Sequence, residues 1–204
     1  MNITAENIYH IYNQGNNKET IFYEDADYCE FLTMFKKIVS PYSNLLAYCL
    51  MPNHFHFLNY CTQLSSSPKL IGKVESCELS NSFRILQSSY AQYVNGKYGR
   101  TGSLFKQKAK GKCLDEGDDN YPFTAFQYIH QNPLKAGLVT KMEDWKYSSF
   151  SDFINPGKES LCDIRLAEKL IGFDKNNFIW ESYQFVDEKL LQGIFIKKDM
   201  KRYF

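Results

Sequence analysis

The sequence has little that would set it apart from an ordinary globular protein. Its net charge is only +1 over 204 residues, so any affinity for nucleic acid must come from local clusters of basic residues. No apolar run approaches the ~20 residues that a membrane-spanning helix needs. We recognise no secretory signal, internal repeat or low-complexity segment. We therefore expect a soluble, cytoplasmic protein.

The six cysteines lack the CxxC spacing that is typical of zinc sites and redox motifs. Several lie in apolar runs, where a free thiol behaves as a small hydrophobic side chain. We interpret them as buried free thiols in a reducing compartment. With 44% hydrophobic residues the chain can bury one substantial core. We expect one domain over residues 1–153 and a C-terminal extension over residues 154–204.

Histidine is scarce, and half of the four histidines lie in one stretch, residues 45–61, which reads as two apolar strands joined by a tight turn. Because side chains alternate along a strand, His54 and His56 project from the same face, about 7 Å apart. Phe55 and Phe57 project from the opposite face and indicate a core there. The two imidazoles can share one metal ion, although ordinary strand histidines are the simpler interpretation of this pair alone.

The spacing of apolar residues predicts a strand, a helix, the histidine hairpin, a second helix, a further strand and a third helix. In order, these elements are expected over residues 8–13, 25–39, 44–61, 80–95, 106–114 and 120–131. Residues 62–78 read as an exposed connection, and a further helix is expected over 161–171. This order indicates an α+β fold in which helices pack on one face of an antiparallel or mixed sheet.

Acidic residues are absent between Leu79 and Leu114, whereas seven basic residues are present. Lysines recur at every second position from 106 to 112 and would share one side of a strand, which suits a phosphate backbone. Aromatic residues are interleaved, as in proteins on which single-stranded nucleic acid stacks. The alternative is a solvated edge strand that lysines protect against aggregation. The candidate DNA contacts are Arg84, Lys97, Arg100, Lys106, Lys108, Lys110 and Lys112.

Tyr128 and Asn132 are four residues apart, so they would lie on the same side of the third helix. We expect them near its end, because Pro133 disfavours helical geometry at the residue before it. A phenol and an amide oxygen could thus be presented together to the histidine pair. Taken alone, a tyrosine in a helix is more commonly a packing residue.

Together these stretches resemble the IS200/IS605-like (Y1) HUH transposases, and most closely the REP-associated tyrosine transposases. The resemblance covers residues 8–153 and rests mainly on four blocks. They are Tyr9-His-Ile-Tyr-Asn-Gln-Gly-Asn-Asn17, Met51-Pro-Asn-His-Phe-His56, Tyr98-Gly-Arg-Thr-Gly-Ser-Leu-Phe-Lys106 and Tyr128-Ile-His-Gln-Asn-Pro-Leu-Lys-Ala-Gly-Leu-Val139.

The resemblance implies an RRM/ferredoxin-like sandwich with a central antiparallel sheet. It also implies a metal-dependent endonuclease and strand transferase that acts on single-stranded DNA with hairpin or repeat structure. Carried onto matching positions, Tyr128 is the nucleophile that forms a 5′-phosphotyrosine intermediate. His54, His56 and Asn132 bind a divalent metal, Mg²⁺ or Mn²⁺. The resemblance is compatible with a monomer or a homodimer.

Two other functions remain open. A domesticated relative would recognise hairpin nucleic acid as a regulator without cleaving it, and an unrelated metal hydrolase would use activated water instead of Tyr128. The resemblance ends near residue 154. The basic and aromatic segment Phe195–Phe204 could cover the active site, bind DNA or dock on the core.

Overall fold

The protein is described by a computed structural model over residues 1–116, 118, 120–155, 159–184, 186 and 188–196. The strands in this part are β1 (Ile8–Gln14), β2 (Asn44–Met51), β3 (His54–Tyr60), β4 (Pro68–Ile71), β5 (Val74–Cys77) and β6 (Lys110–Cys113). A four-stranded sheet has the order β2-β3-β1-β6 with antiparallel neighbours throughout, and β4 and β5 form a separate hairpin.

The α-helices in the described residues are α1 (Asp25–Ile38), α2 (Gln63–Ser66), α3 (Glu78–Tyr98), α4 (Tyr121–Lys135), α5 (Phe150–Ile154), α6 (Ile164–Ile171), α7 (Phe178–Ser182) and α8 (Glu188–Leu191). None of them is long and apolar enough to cross a membrane. The α+β class with a central antiparallel sheet, expected from the sequence, is confirmed.

One face of the sheet is covered by α1 and α3 and is almost entirely apolar. Phe57 projects from β3 onto this face, where its ring stacks on Phe35 of α1 at 4.4 Å between centroids. Phe83 of α3 packs against both rings. All three are fully buried, and each stabilises the fold by roughly 1.5–3 kcal/mol relative to an exposed side chain. We call this side the α1/α3 face.

The opposite side of the sheet, the α4 face, is covered by α4 and by the C-terminal helices. Phe126 of α4 stacks on Phe173, which follows α6, at 5.2 Å between ring centroids. Phe153 of α5 meets Phe126 edge-on at 5.0 Å. The sequence led us to expect helices on one face only. That holds for α1 and α3, whereas α4 and the extension bury the second face, since strands that are apolar on both sides need two covers.

Several elements differ from their predicted bounds. The second helix passes Gly96 and ends at Tyr98, because Gly99 takes the left-handed conformation (φ 61°) that closes it. The third helix continues through Pro133, since the N–H of Ala136 still donates to the carbonyl of Asn132 at 2.9 Å. The expected connection over residues 62–78 instead forms α2 and the β4–β5 hairpin.

The strand expected over residues 106–114 is shortened to β6. Before it the N–H of Lys106 still donates to the carbonyl of Gln14 on β1 at 3.0 Å, but side chains hold Gln107 and Ala109. The N–H of Ala109 donates to Oε1 of Gln87 at 2.9 Å, and Nδ2 of Asn13 donates to the carbonyl of Gln107 at 2.7 Å. Consequently Lys106 and Lys108 do not share a strand face with the two lysines of β6.

All six cysteines are free thiols, as expected. Four are buried, but Cys29 on α1 is exposed and Cys113 on β6 is partly exposed, which differs from the expectation that they are buried. Cys29 lies in an amphipathic helix, where an apolar neighbour in sequence does not guarantee a position on the buried side.

Candidate active site

The β2–β3 hairpin places both histidines at its turn, on the α4 face. His54 is partly exposed and His56 is fully buried, and their ring centroids are 5.0 Å apart with nearly perpendicular planes. This is shorter than the spacing along the strand, because both rings turn toward the same point in front of the sheet.

Helix α4 brings Tyr128 and Asn132 to the same point. The ring of Tyr128 lies edge-on to the ring of His56 at 5.5 Å between centroids. Nδ2 of Asn132 donates to the main-chain carbonyl of Tyr128 at 2.8 Å. The Asn132 side chain also hydrogen-bonds to the side chains of His54 and Tyr128. The four residues proposed from the sequence therefore converge within one chain.

Burial keeps this cluster uncharged. It lowers the pKa of His54 to about 4, against the opposing effect of a hydrogen bond with Asn132. Burial, reinforced by the neighbouring imidazoles, lowers the pKa of His56 well below its ordinary value. Burial raises the pKa of Tyr128, and the hydrogen bond to Asn132 offsets only part of that rise. At neutral pH both imidazoles carry a lone pair and the phenol keeps its proton.

The donor set fits a divalent cation. Among the described residues, no group of three or more His, Cys, Asp and Glu side chains is close enough together to hold a metal. The set at this site is two neutral imidazoles and a carboxamide. Because Nδ2 of Asn132 is directed to the Tyr128 carbonyl, Oδ1 is the atom left to act as a ligand. Such a set leaves the charge of a cation to be balanced by an anionic substrate.

His10 on β1 belongs to this cluster as well, although the motifs did not single it out. It is fully buried, and its Nε2 lies 2.9 Å from Nδ1 of His56. Its Nδ1 lies 2.8 Å from the main-chain oxygen of Ile194. The only sequence signal was a histidine in a strand candidate, and the register that brings β1 beside β3 could not be deduced from it.

A short C-terminal segment, Ile194–Ile196, covers the cluster. The ring of Phe195 lies 5.3 Å from that of Tyr128 and 6.1 Å from that of His56, and it is almost fully buried. The N–H of Ile196 donates to the hydroxyl of Tyr12 at 3.0 Å. Of the three roles left open for Phe195–Phe204, covering the site agrees with the placement of its first two residues. Residues 197–204 lie outside the described part of the chain.

The C-terminal extension also accepts hydrogen bonds from α4. Nε2 of Gln127 donates to the carbonyl of Glu181 at 2.7 Å. Nε2 of Gln131 donates to the carbonyls of Ser182 and Gln184 at 2.8 and 2.7 Å. Three hydrogen bonds from buried carboxamides thus fix the helix that carries Tyr128.

Comparison with known proteins bears on the whole arrangement. No protein-family model and no curated protein matches the chain. A solved structure of a REP-associated tyrosine transposase bound to a REP hairpin matches 79% of this chain and 88% of its own, with a TM-score of 0.57 and 14% sequence identity. The chain shares the fold of this REP-associated tyrosine transposase. The resemblance recognised in the sequence is therefore confirmed at the level of structure.

Within this transposase fold, two of the predicted DNA contacts are engaged in ion pairs. Nζ of Lys97 lies 2.6 Å from a carboxylate oxygen of Asp27 and 2.7 Å from one of Glu24. The guanidinium of Arg100 lies 2.9 Å from a carboxylate oxygen of Glu19. These two cations brace the start of α1 and the loop before it, so their role as DNA contacts stays a prediction without geometric support.

Lys110 and Lys112 lie on the same side of the sheet as the histidines. In the antiparallel pairing of β6 with β1, Lys110 is opposite Tyr12 and Lys112 is opposite His10. Directly opposed residues project from the same face. Both lysines therefore lie at the sheet edge beside the cluster around His56.

The remaining basic residues lie elsewhere. Arg84 and Lys108 line a cavity of about 570 Å³ between α3, the β4–β5 hairpin and the segment before β6. Lys106 is exposed in that segment. The seven predicted contacts thus divide into a pair beside the site, a pair on the α3 side, the exposed Lys106, and the two cations engaged near α1.

Proposed function

We propose that the protein is a metal-dependent, single-stranded DNA endonuclease and strand transferase that uses Tyr128 as its nucleophile. The observation that supports this most directly is the convergence of Tyr128, Asn132, His54 and His56 in one chain. A binding protein has no physical need for a buried phenol beside two neutral imidazoles. The structural likeness to a transposase bound to a REP hairpin supports single-stranded DNA with a hairpin as the substrate.

The reaction we propose is a transesterification. The Tyr128 hydroxyl loses its proton and forms a bond to the scissile phosphorus, while the bond from phosphorus to the 3′ oxygen breaks and that oxygen takes up a proton. The products are a 5′-phosphotyrosine and a free 3′-OH. Phenolate is a better leaving group than an alkoxide, so the 3′-OH of the same or another strand can reverse the step.

The chain's own residues bind, orient and shield in this scheme. His54, His56 and Oδ1 of Asn132 would hold Mg²⁺ or Mn²⁺, which neutralises charge on the non-bridging phosphate oxygens. Asn132 also orients Tyr128 through their hydrogen bond. Lys110 and Lys112, at the sheet edge beside this cluster, would contact the phosphates next to the scissile one.

The experiment is incubation of the full chain with end-labelled, hairpin-bearing single-stranded DNA and Mn²⁺. We expect a covalent protein–DNA adduct that is lost in Tyr128→Phe. Tyr121→Phe is the matched control, because Tyr121 lies on the same helix two turns before Tyr128. An adduct that survives in Tyr128→Phe would refute the assignment of the nucleophile.

The second candidate function is a hairpin-binding regulator that does not cleave. The Phe195 ring favours it, since that ring occupies the space in front of Tyr128 and His56. It predicts that the wild-type chain forms no covalent adduct with the hairpin DNA in the presence of any divalent metal. It also predicts that Tyr128→Phe binds the hairpin with the same affinity as the wild type. Cleaved DNA that is not covalently attached to the protein would instead support the third alternative, hydrolysis by activated water.

A further inference from the structure

The two histidines of the candidate metal site each direct Nδ1 at a partner that can only accept a hydrogen. A neutral imidazole carries one proton, on either Nδ1 or Nε2, and the hydrogen bond at one nitrogen decides the state of the other. The neighbours of His54 and His56 therefore determine which nitrogen carries the lone pair that can bind a cation.

At His54 the partner of Nδ1 is the preceding residue. Oδ1 of Asn53 lies 2.6 Å from Nδ1 of His54. The orientation of the Asn53 amide is set independently, because its Nδ2 donates to the main-chain carbonyl of Lys18 at 3.3 Å. Oδ1 is an acceptor, so Nδ1 of His54 must be the donor and Nε2 carries the lone pair.

At His56 the state of Nδ1 follows from two successive hydrogen bonds. The carbonyl of Ile194 only accepts, so Nδ1 of His10 must donate to it. The single proton of the neutral His10 ring therefore lies on Nδ1, so its Nε2 is an acceptor. Nδ1 of His56, 2.9 Å away, is then the donor, and Nε2 of His56 carries the lone pair.

The fourth histidine has the opposite arrangement. Nε2 of His130 lies 2.9 Å from Oγ of Ser149. That oxygen donates its hydrogen to the carbonyl of Tyr48 and accepts from the N–H of Tyr48. It can therefore only accept from His130, which is held with its proton on Nε2. Burial alone does not select one tautomer in this protein.

We propose that Asn53 and His10 are positioning residues that hold His54 and His56 with the proton on Nδ1, so that both Nε2 atoms are presented to one cation. The proposal rests on the metal-dependent function proposed above and adds residues that act on the ligands without touching the metal. Partners of this kind typically change metal affinity about 10- to 100-fold when they are removed.

The tautomers can be measured without metal or DNA. We expect a long-range ¹H–¹⁵N correlation spectrum of the full, metal-free chain to show the proton on Nδ1 for His10, His54 and His56, and on Nε2 for His130. The chain has only four histidines, so each pattern can be assigned by substitution. A proton on Nε2 of His54 or His56 would overturn the proposal, whatever the protein does with DNA.

A second measurement tests the role of His10 in metal binding. We expect His10→Leu to weaken Mn²⁺ binding in calorimetry by about 10- to 100-fold, and His10→Gln to restore most of it, because a carboxamide can accept from His56 and donate to Ile194. His130→Leu is the matched control, since it removes a histidine of similar burial outside the cluster. Equal loss in His10→Leu and His130→Leu would show that His10 is merely structural.

These outcomes separate the two proposals. If the tautomers are as expected but the wild-type chain does not bind Mn²⁺, the metal-dependent function is refuted and the positioning by Asn53 and His10 stands. If Mn²⁺ binds and His10→Leu leaves both its affinity and the tautomer of His56 unchanged, the positioning role of His10 is refuted and the function stands.

Discussion

The two faces of the sheet are built from the same strands and carry different chemistry. On β3, Phe55 and Phe57 face α1 and α3 and pack in an apolar and aromatic cluster, whereas His54 and His56 face α4 and meet polar partners. Both faces are closed to solvent at their centres. The difference indicates that burial serves stability on the α1/α3 face, while on the α4 face it sets the protonation of the proposed site.

Removal of divalent metal should produce the largest difference between the faces. With a chelator, we expect adduct formation on hairpin DNA to fall at least about 1,000-fold, because the charge on the scissile phosphate is no longer neutralised. The α1/α3 face contains no proposed ligand, so the far-ultraviolet circular dichroism spectrum should not change. Cleavage that persists in the chelator and does not increase when Mn²⁺ is added would contradict the proposed role of His54, His56 and Asn132.

Truncation on the other face should have the reverse effect. We expect Phe57→Ala to lower the free energy of unfolding by about 3–5 kcal/mol, since it leaves a cavity between α1, α3 and the sheet. Denaturant titration measures this loss. Tyr128→Phe is the matched control on the α4 face and should change stability by less than about 1 kcal/mol. Equal destabilisation by the two variants would contradict the division between the faces.

Asp27 tests how the α1/α3 face tolerates a buried charge. Burial raises the pKa of Asp27. Hydrogen bonds from Lys97, from Tyr98 and from two main-chain N–H groups together lower it by more, so the net pKa lies below the ordinary value. Its contribution to stability is therefore complete above about pH 4 and is lost as the pH falls toward the depressed folded-state pKa. We expect Asp27→Asn to cost about 2 kcal/mol at pH 7.

The pH dependence of that cost is the check. The difference in unfolding free energy between the wild type and Asp27→Asn should shrink below about pH 4, because Asp27 is then protonated in the unfolded state before it is protonated in the folded state. Arg100→Gln is a suitable control, since its partner Glu19 is exposed and the pair is worth at most about 1 kcal/mol. A difference that grows in acid would contradict the depressed pKa.

The smallest change we expect concerns the covering segment. A Cβ atom at Gly193 would clash with the ring of Tyr121, so in Gly193→Ala the backbone or this ring must shift, and we expect the segment Ile194–Ile196 to move away from α4. The phenol of Tyr128 should then react several times faster with a nitrating reagent, as measured by mass spectrometry. Gly96→Ala is the matched control because a Cβ there meets no atom within 4 Å. Equal reactivity in both variants would show that the segment does not shield Tyr128.

Much of the fold could be predicted because local patterns were strong. The alternation along β3 fixed which residues share a face, and the helical spacing in α1 and α3 identified Phe35 and Phe83 as buried. The shortened β6 could not be predicted, because it depends on Gln87 and Asn13 reaching the backbone across the fold. Sequence spacing does not carry that information.

The candidate site could be predicted only in part. His54, His56, Tyr128 and Asn132 were named from the motifs that resemble the transposases, and the structure brings them together. His10 was missed as a partner of His56, since its contact depends on the register between β1 and β3. The cover by Phe195 depends on a segment with no counterpart in the resemblance.

The three hydrogen bonds from Gln127 and Gln131 to the extension have a consequence for how such a chain evolves. The carboxamides recognise main-chain carbonyls, so substitutions within α7 leave the attachment intact as long as its path is kept. An insertion or deletion between residues 154 and 184 would displace those carbonyls and release the helix that carries Tyr128. We expect this stretch to vary freely in composition among descendants and to be nearly constant in length.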